Sequence, residues 1–213
     1  MNNHKPAKDG ARSALILVDI QNDFVPGGAL AVQGGDEVAP IANACMGEYD
    51  LVVATQDWHP SGHLSFASQH ATKSVGDLVE VDGLSQILWP DHCVQGSFGA
   101  EFLKSLNQDG IDRVFQKGTL PNRDSYSGFF DNGGQHATGL GDFLKEQNVA
   151  TTHVMGLATD YCVKFTALDS ARLGFETHLI LTGCRGVELQ TGDIAQAIDE
   201  MRSAGILVEE GTH

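Results

Sequence analysis

Basic residues are scarce. The 213-residue chain holds 13 Lys and Arg against 28 Asp and Glu, a formal net charge of −15. A nucleic-acid binder needs a basic face, and an anionic membrane surface repels so acidic a chain, so neither partner is expected. Long apolar runs are also missing, and no stretch reaches the length of a membrane span. The opening "MNNHKPAKDGARS" has no apolar h-region. Residues 1–12 are therefore expected to form a flexible tail without a signal peptide, ahead of a single domain over residues 13–213. Cysteines are few and widely spaced (Cys45, Cys93, Cys162 and Cys184), with no C-x-x-C pair. That argues against a disulfide framework and fits a reducing cytoplasm. Internal repeats and low-complexity blocks are absent. So are the G-x-G-x-x-G and P-loop patterns, which removes the dinucleotide and nucleoside-triphosphate readings.

What remains is an ordinary globular mix, 41% hydrophobic and 19% charged. At this length a single core buries roughly 70% of the unfolded chain's surface. Continuous β-rich apolar runs recur at 14–20, 50–57, 112–118, 152–158 and 177–183, and "GILVEE" at 205–210 adds a sixth. Such runs suit strands covered on both faces. Helical patterns lie between them, over roughly 37–48, 97–108, 139–147, 160–173 and 191–204. The alternation predicts an α/β fold, an open and mainly parallel sheet with helices on both faces. Two long connections, 58–96 and 118–138, break the rhythm. Loops of that length inside one domain are usually functional, and they are expected to wall one edge of the sheet.

Ligands of open parallel sheets bind beyond the carboxyl ends of the strands. Those ends carry Asp19, Asp57, Lys117 and, just after the fourth run, Cys162. Any one of them is ordinary; together on one edge they point to a site. Cys162 has two readings, since free cysteine is among the most buried residue types. The alternative is a nucleophile. With Thr159 or Asp160 capping a helix, Cys162 falls in its first turn, where the dipole and a nearby lysine favour a thiolate. An aspartate could take its proton. The segment "QDWHPSGH" sets Asp57, His59 and His63 at D-x-H-x-x-x-H spacing, and "WPDHC" adds His92 from the same connection. Three imidazoles and a carboxylate suit Zn²⁺, Fe²⁺ or Mn²⁺. Phe24 and Trp89 lie next to these polar residues in sequence and could face a flat aromatic substrate.

The stretches "LVDIQNDFVPGGALAV", "TQDWHPSGHLSF", "LWPDHCVQGSFGAEF", "FQKGTLPNRDSYSGFFDN" and "VMGLATDYCVKFTALDSARLGF" together resemble the nicotinamidase/pyrazinamidase family of the isochorismatase-like cysteine hydrolases. The resemblance runs from about residue 14 to about residue 182. It implies a catalytic triad of Asp19, Lys117 and Cys162, and metal ligands at Asp57, His59, His63 and His92. It implies an oxyanion hole from the backbone N–H groups of Ala158 and Cys162, with a cis Leu157–Ala158 peptide. Substrate-ring contacts would fall on Phe24, Trp89 and Tyr126. The implied reaction is hydrolysis of nicotinamide, or pyrazinamide-type analogues, to the acid and ammonia through a thioester, in NAD salvage. One divalent metal, Zn²⁺ ahead of Fe²⁺ or Mn²⁺, would orient the pyridine ring. Family habit points to a homodimer or larger assembly. Two rivals stand: a cysteine amidohydrolase acting on a carbamoyl or ureido compound, and a metal-water hydrolase in which Cys162 is structural.

Overall fold

In the computed structural model, which describes residues 11–211, strand β1 (Arg12–Val18) is buried from Ala14 onward. Its partners are β2 (Leu51–Asp57), also wholly buried, β5 (Arg113–Lys117), β6 (Val149–Leu157), β7 (Glu176–Arg185) and β8 (Leu207–Glu209). All pair in parallel, in the order β5-β2-β1-β6-β7-β8. The expected tail lies outside the described residues except for its last two, and Arg12 already belongs to β1. No helix among the described residues is long and apolar enough to cross a membrane.

Helices α1 (Val38–Cys45), α2 (Leu140–Glu146), α3 (Lys164–Arg172) and α4 (Asp193–Ser203) fill the crossovers. Strand order reverses beside β1: β2 and β5 lie on one side, β6 to β8 on the other. With right-handed crossovers, the helices of the two halves then cover opposite faces. A crevice opens at this reversal, above the carboxyl ends of β1 and β6. The two strands approach closely there. A Cβ on Gly156 would lie 2.1 Å from the Val18 carbonyl oxygen, and its φ of +130° is one that side chains rarely adopt.

The helix expected over 97–108 does not form. A 3₁₀ turn (Phe98–Ala100), capped by Ser97, is followed by a bridge from Phe102 to Gln21, a turn over 103–106 and a second 3₁₀ turn (Gln108–Gly110). The groups an α-helix would use are taken by the segment after β1. The Asn22 N–H donates to the Glu101 carbonyl, the Leu103 N–H donates to Ile20, and the Gln21 side chain donates to Ala100. Tertiary pairing overrides the local periodicity here. The 58–96 connection also holds an antiparallel hairpin, β3 (Leu78–Val81) and β4 (Leu84–Ile87). Its two-residue turn, Asp82-Gly83, has φ of +51° and +78°, as the Asp-Gly dipeptide of a type I′ turn requires.

Candidate active site

Four strand ends deliver four charged or reactive groups to the crevice. Lys117 closes β5, Asp57 closes β2, Asp19 follows β1, and Cys162 follows β6. Lys117 is their hub. Its ammonium lies 2.9 Å from Asp19 Oδ2 and 2.6 Å from Asp57 Oδ1, and donates to the Ser125 carbonyl (2.9 Å) and the Cys162 sulfur (3.4 Å). Thr55 donates its hydroxyl to Asp19 Oδ1 at 2.7 Å. One ligand atom each of Asp19, Asp57 and Cys162 lies within 4.8 Å of the other two. Asp19 adopts a left-handed φ of +48°, a conformation that costs energy for a residue with a side chain.

Burial governs the electrostatics. It would push the Lys117 ammonium down, but Asp19 and Asp57 more than offset this and hold it well above its ordinary value. Burial also raises the Asp19 carboxyl; Lys117 opposes that and Asp57 adds to it, leaving Asp19 raised. For Asp57 burial is outweighed by Lys117 and His59, so it stays well below the usual carboxylate range. The Cys162 thiol is pushed well above its ordinary value by burial, with Lys117 pulling the other way and Asp19 and Asp57 reinforcing the rise. The sequence led us to expect a lowered thiol; desolvation at the crevice floor reverses the direction. Desolvation thus favours the protonated thiol, and the Cys162 sulfur accepts a hydrogen bond from the Lys117 ammonium.

The expected cap also differs. Ala158 precedes a π-helical turn (Thr159–Val163) that runs into α3, and no side chain caps it. The Tyr161 and Val163 N–H groups both donate to the Ala158 carbonyl. Asp160 instead accepts from the Val187 and Glu188 N–H groups at 2.9 and 2.8 Å, which ties the β7–α4 loop to the cysteine turn. Cys162 still sits in the first turn, where backbone N–H groups gather. The Leu157–Ala158 peptide is cis.

Beside the lysine, donors of Asp57, His59 and His92 gather within 4.8 Å of one another. His59 Nδ1 faces the Gly118 carbonyl at 2.9 Å, and His92 Nδ1 faces the Pro90 carbonyl at 2.7 Å. A carbonyl only accepts, so each Nδ1 carries the proton and each Nε2 offers a lone pair. Both Nε2 atoms point at Asp57 Oδ2, at 3.4 and 3.6 Å. This convergence suits a divalent metal. A Cβ on Gly118 would lie 2.3 Å from the His59 ring, at φ +62°. His63 stands apart. Its Nδ1 accepts the Ser65 N–H, so its Nε2 is the donor to the Arg123 carbonyl at 3.2 Å. Burial, followed by His59, pushes it down to about 4. Its nearest ligand set is His59 with Asp124.

The crevice above Cys162 is lined by Phe24, Trp89, Tyr126 and His92, as the sequence suggested, and by Leu30, Asp124, Tyr161 and Val187, which it did not. Trp89 donates its indole N–H to the Tyr126 hydroxyl at 3.1 Å and meets Tyr161 edge-on, with centroids 5.0 Å apart. The Gln21 side chain is a further residue the motif reading missed. It donates to the Asp57 carbonyl and accepts the Asp57 N–H, both at 2.8 Å, and so fixes the end of β2. A buried glutamine two residues past Asp19 carries no periodic signal that would have revealed this.

The Isochorismatase domain family matches residues 13–210. The chain is 52% identical over 198 residues to a nicotinamidase of Escherichia coli K12, covering 90% of this chain and 92% of that one. Among solved structures it resembles a nicotinamidase/pyrazinamidase of Acinetobacter baumanii (TM-score 0.90, 43% identity, 94% and 97% of the two chains). It also resembles a yeast nicotinamidase bound to the inhibitor nicotinaldehyde (TM-score 0.87, 31% identity, 93% and 100%). A third is a pyrazinamidase of Pyrococcus horikoshii in complex with zinc (TM-score 0.76, 36% identity, 94% and 99%).

Proposed function

The chain belongs to the isochorismatase family, and on that premise we propose that it is a nicotinamidase, an amidohydrolase converting nicotinamide and water to nicotinate and ammonia. The observation that carries this is the position of Lys117, 2.9 Å from Asp19 and 3.4 Å from the Cys162 sulfur at the floor of an aromatic crevice. Asp19 takes the thiol proton as Cys162 attacks the carboxamide carbon, forming the C–S bond. The N–H groups of Ala158 and Cys162 receive the oxyanion. Asp19 returns the proton to the amide nitrogen, the C–N bond breaks, and ammonia leaves a thioester on Cys162. Asp19 then accepts a proton from water, whose oxygen attacks the thioester carbon; as the C–S bond breaks, Asp19 passes that proton to the sulfur, restoring the thiol and its own carboxylate. Lys117 keeps Asp19 and Asp57 compatible with burial and offsets the negative charge that builds up during attack.

Asp57, His59 and His92 would hold one divalent transition metal, with Zn²⁺ favoured over Fe²⁺ or Mn²⁺. When bound it would hold the pyridine nitrogen, a positioning role. Phe24, Trp89 and Tyr126 would flank the ring. The product would feed pyridine-nucleotide synthesis in the cytoplasm, and a dimer or larger assembly belongs to the same proposal. A cysteine amidohydrolase for carbamoyl or ureido compounds would have no ring nitrogen for Asp57, His59 and His92 to address. The test is to follow ammonia and nicotinate release from nicotinamide, with wild type and Cys162→Ala. Stoichiometric release by wild type and none by the variant is expected. Retained activity in the variant would instead favour a metal-water hydrolase.

A further inference from the structure

A further group of metal-ligating side chains lies on β6 to β8, outside the residues that line the crevice. His153, His178 and Glu209 project from the neighbouring parallel strands β6, β7 and β8. His153 and His178 are register partners. Glu209 pairs with Ile180, two residues beyond His178 and so on the same face of the sheet. The imidazoles stack with centroids 4.4 Å apart. Glu209 Oε1 lies 2.7 Å from His178 Nδ1 and 3.7 Å from His153 Nε2. One ligand atom from each of the three falls within 4.8 Å of the other two.

We propose that His153, His178 and Glu209 form a second divalent-metal site, for a borderline cation such as Zn²⁺, Co²⁺ or Ni²⁺, that clips the edge strand β8 to β6 and β7. Two imidazoles and a carboxylate are the donor set such cations take. Ligand atoms around tetrahedral zinc stand roughly 3.3 Å apart, given bonds of about 2.0–2.1 Å. The His153–Glu209 gap is close to that already. The shorter His178–Glu209 gap is a hydrogen bond, whose proton leaves when a metal enters. Glu209, its side chain 31% exposed, can shift by the roughly half an ångström required, and the His178 ring must turn out of its 26° stack on His153 to aim its lone pair at the same ion.

The surroundings also suit a metal. Glu176 Oε1 lies 3.2 Å from His178 Nε2, where it accepts that N–H and leaves Nδ1 as the ligating nitrogen. This is the carboxylate–histidine–metal relay that orients ligating imidazoles elsewhere. The Tyr49 ring lies 4.9 Å from the buried His153, while the His178 and Glu209 side chains are 16% and 31% exposed. A net charge of −15 raises the local concentration of cations. Strand β8 has only three residues, so a bond from Glu209 to two inner strands ties down an element with little pairing of its own.

The test reads metal binding directly and does not depend on turnover. Tag-free protein is stripped with a chelator, then titrated with Zn²⁺ and with Co²⁺ by calorimetry and elemental analysis. His178→Gln and Glu209→Gln are each expected to bind one equivalent fewer than wild type, with nicotinamide turnover unchanged. Asp57→Asn is expected to keep the equivalent that those two lose. The melting temperature should rise as the β8 site fills in wild type and in Asp57→Asn, and should lack that rise in His178→Gln and Glu209→Gln. Equal stoichiometry in wild type and both β-strand variants would overturn the proposal. In that case the same groups hold only a proton, an imidazolium between two carboxylates.

Discussion

Replacing Lys117 by Met separates what the lysine does for stability from what it does for chemistry. Its side chain and that of Asp19 are fully buried, and Asp57 nearly so. Removing one partner of a buried ion pair leaves an uncompensated charge, which costs about 3–5 kcal/mol. For a chain of this length about 1 kcal/mol shifts Tm by ~2–4 °C, so Lys117→Met should melt ~6–20 °C lower than wild type. The orphaned charge falls mainly on Asp19, because Asp57 keeps His59 and His92 at 3.4 and 3.6 Å. Adding Asp19→Asn should therefore recover most of the lost Tm, a coupling opposite in sign to additivity. Turnover should stay lost in the single and double variants, since Asn cannot accept the thiol proton. The pH dependence follows from the sign of the Asp19 shift. Its folded-state value is already raised, with burial as the main cause, and rises further without Lys117. A carboxyl with a raised folded value contributes stability at low pH that is lost as pH rises through that value. The Tm gap between wild type and Lys117→Met should therefore narrow as pH falls from about 8 toward 5. Differential scanning calorimetry of wild type, Lys117→Met, Asp19→Asn and the double variant across that range measures all of this. A double variant less stable than Lys117→Met, or a gap that widens at low pH, would refute the assignment of the orphaned charge.

Cys162 lines the crevice, whereas Cys45, Cys93 and Cys184 do not, so iodoacetamide should inactivate in step with labelling of Cys162. Because burial holds its thiol well above the ordinary cysteine range, the labelling rate should still climb as pH rises past 8; a plateau below pH 8 would contradict the buried-thiol picture. Tyr126→Phe removes the 3.1 Å bond from Trp89. A hydrogen bond of about 0.5–1.5 kcal/mol predicts KM for nicotinamide raised by up to about tenfold with kcat little changed, and an unchanged KM would remove Tyr126 from ring positioning. Asp160→Ala leaves the Val187 and Glu188 N–H groups without their acceptor, at a cost of at least ~1–3 kcal/mol. Denaturant unfolding should show that loss. Chelation should abolish nicotinamide turnover while Cys162 still alkylates. Benzamide, which has no ring nitrogen, should remain a poor substrate even with metal restored; equal turnover of the two amides would exclude the positioning role.

The sequence alone determined the parallel α/β architecture, because strands covered on both faces carry unbroken apolar runs, as 14–18, 51–54 and 154–158 do. It also determined which residues end those strands. Asp19, Asp57 and Lys117 follow from the rule that sites of such sheets lie at carboxyl ends, and the D-x-H-x-x-x-H spacing marked a metal-ligating segment. Only the tertiary structure decided how these groups divide the work. How each ring is aimed depends on which carbonyl or N–H its nitrogens meet: Pro90 and Ser65 lie two residues from His92 and His63, but Arg123 meets His63 from 60 residues away, and only the fold brings His92 beside Asp57 and His59. The helix expected over 97–108 failed because Ile20, Gln21 and Asn22 claim its backbone groups from about 80 residues away. The thiol's direction of shift likewise depends on depth. A helix start and a lysine are legible in one dimension, but the desolvation that outweighs them exists only once β1, β2, β5 and β6 close around the sulfur.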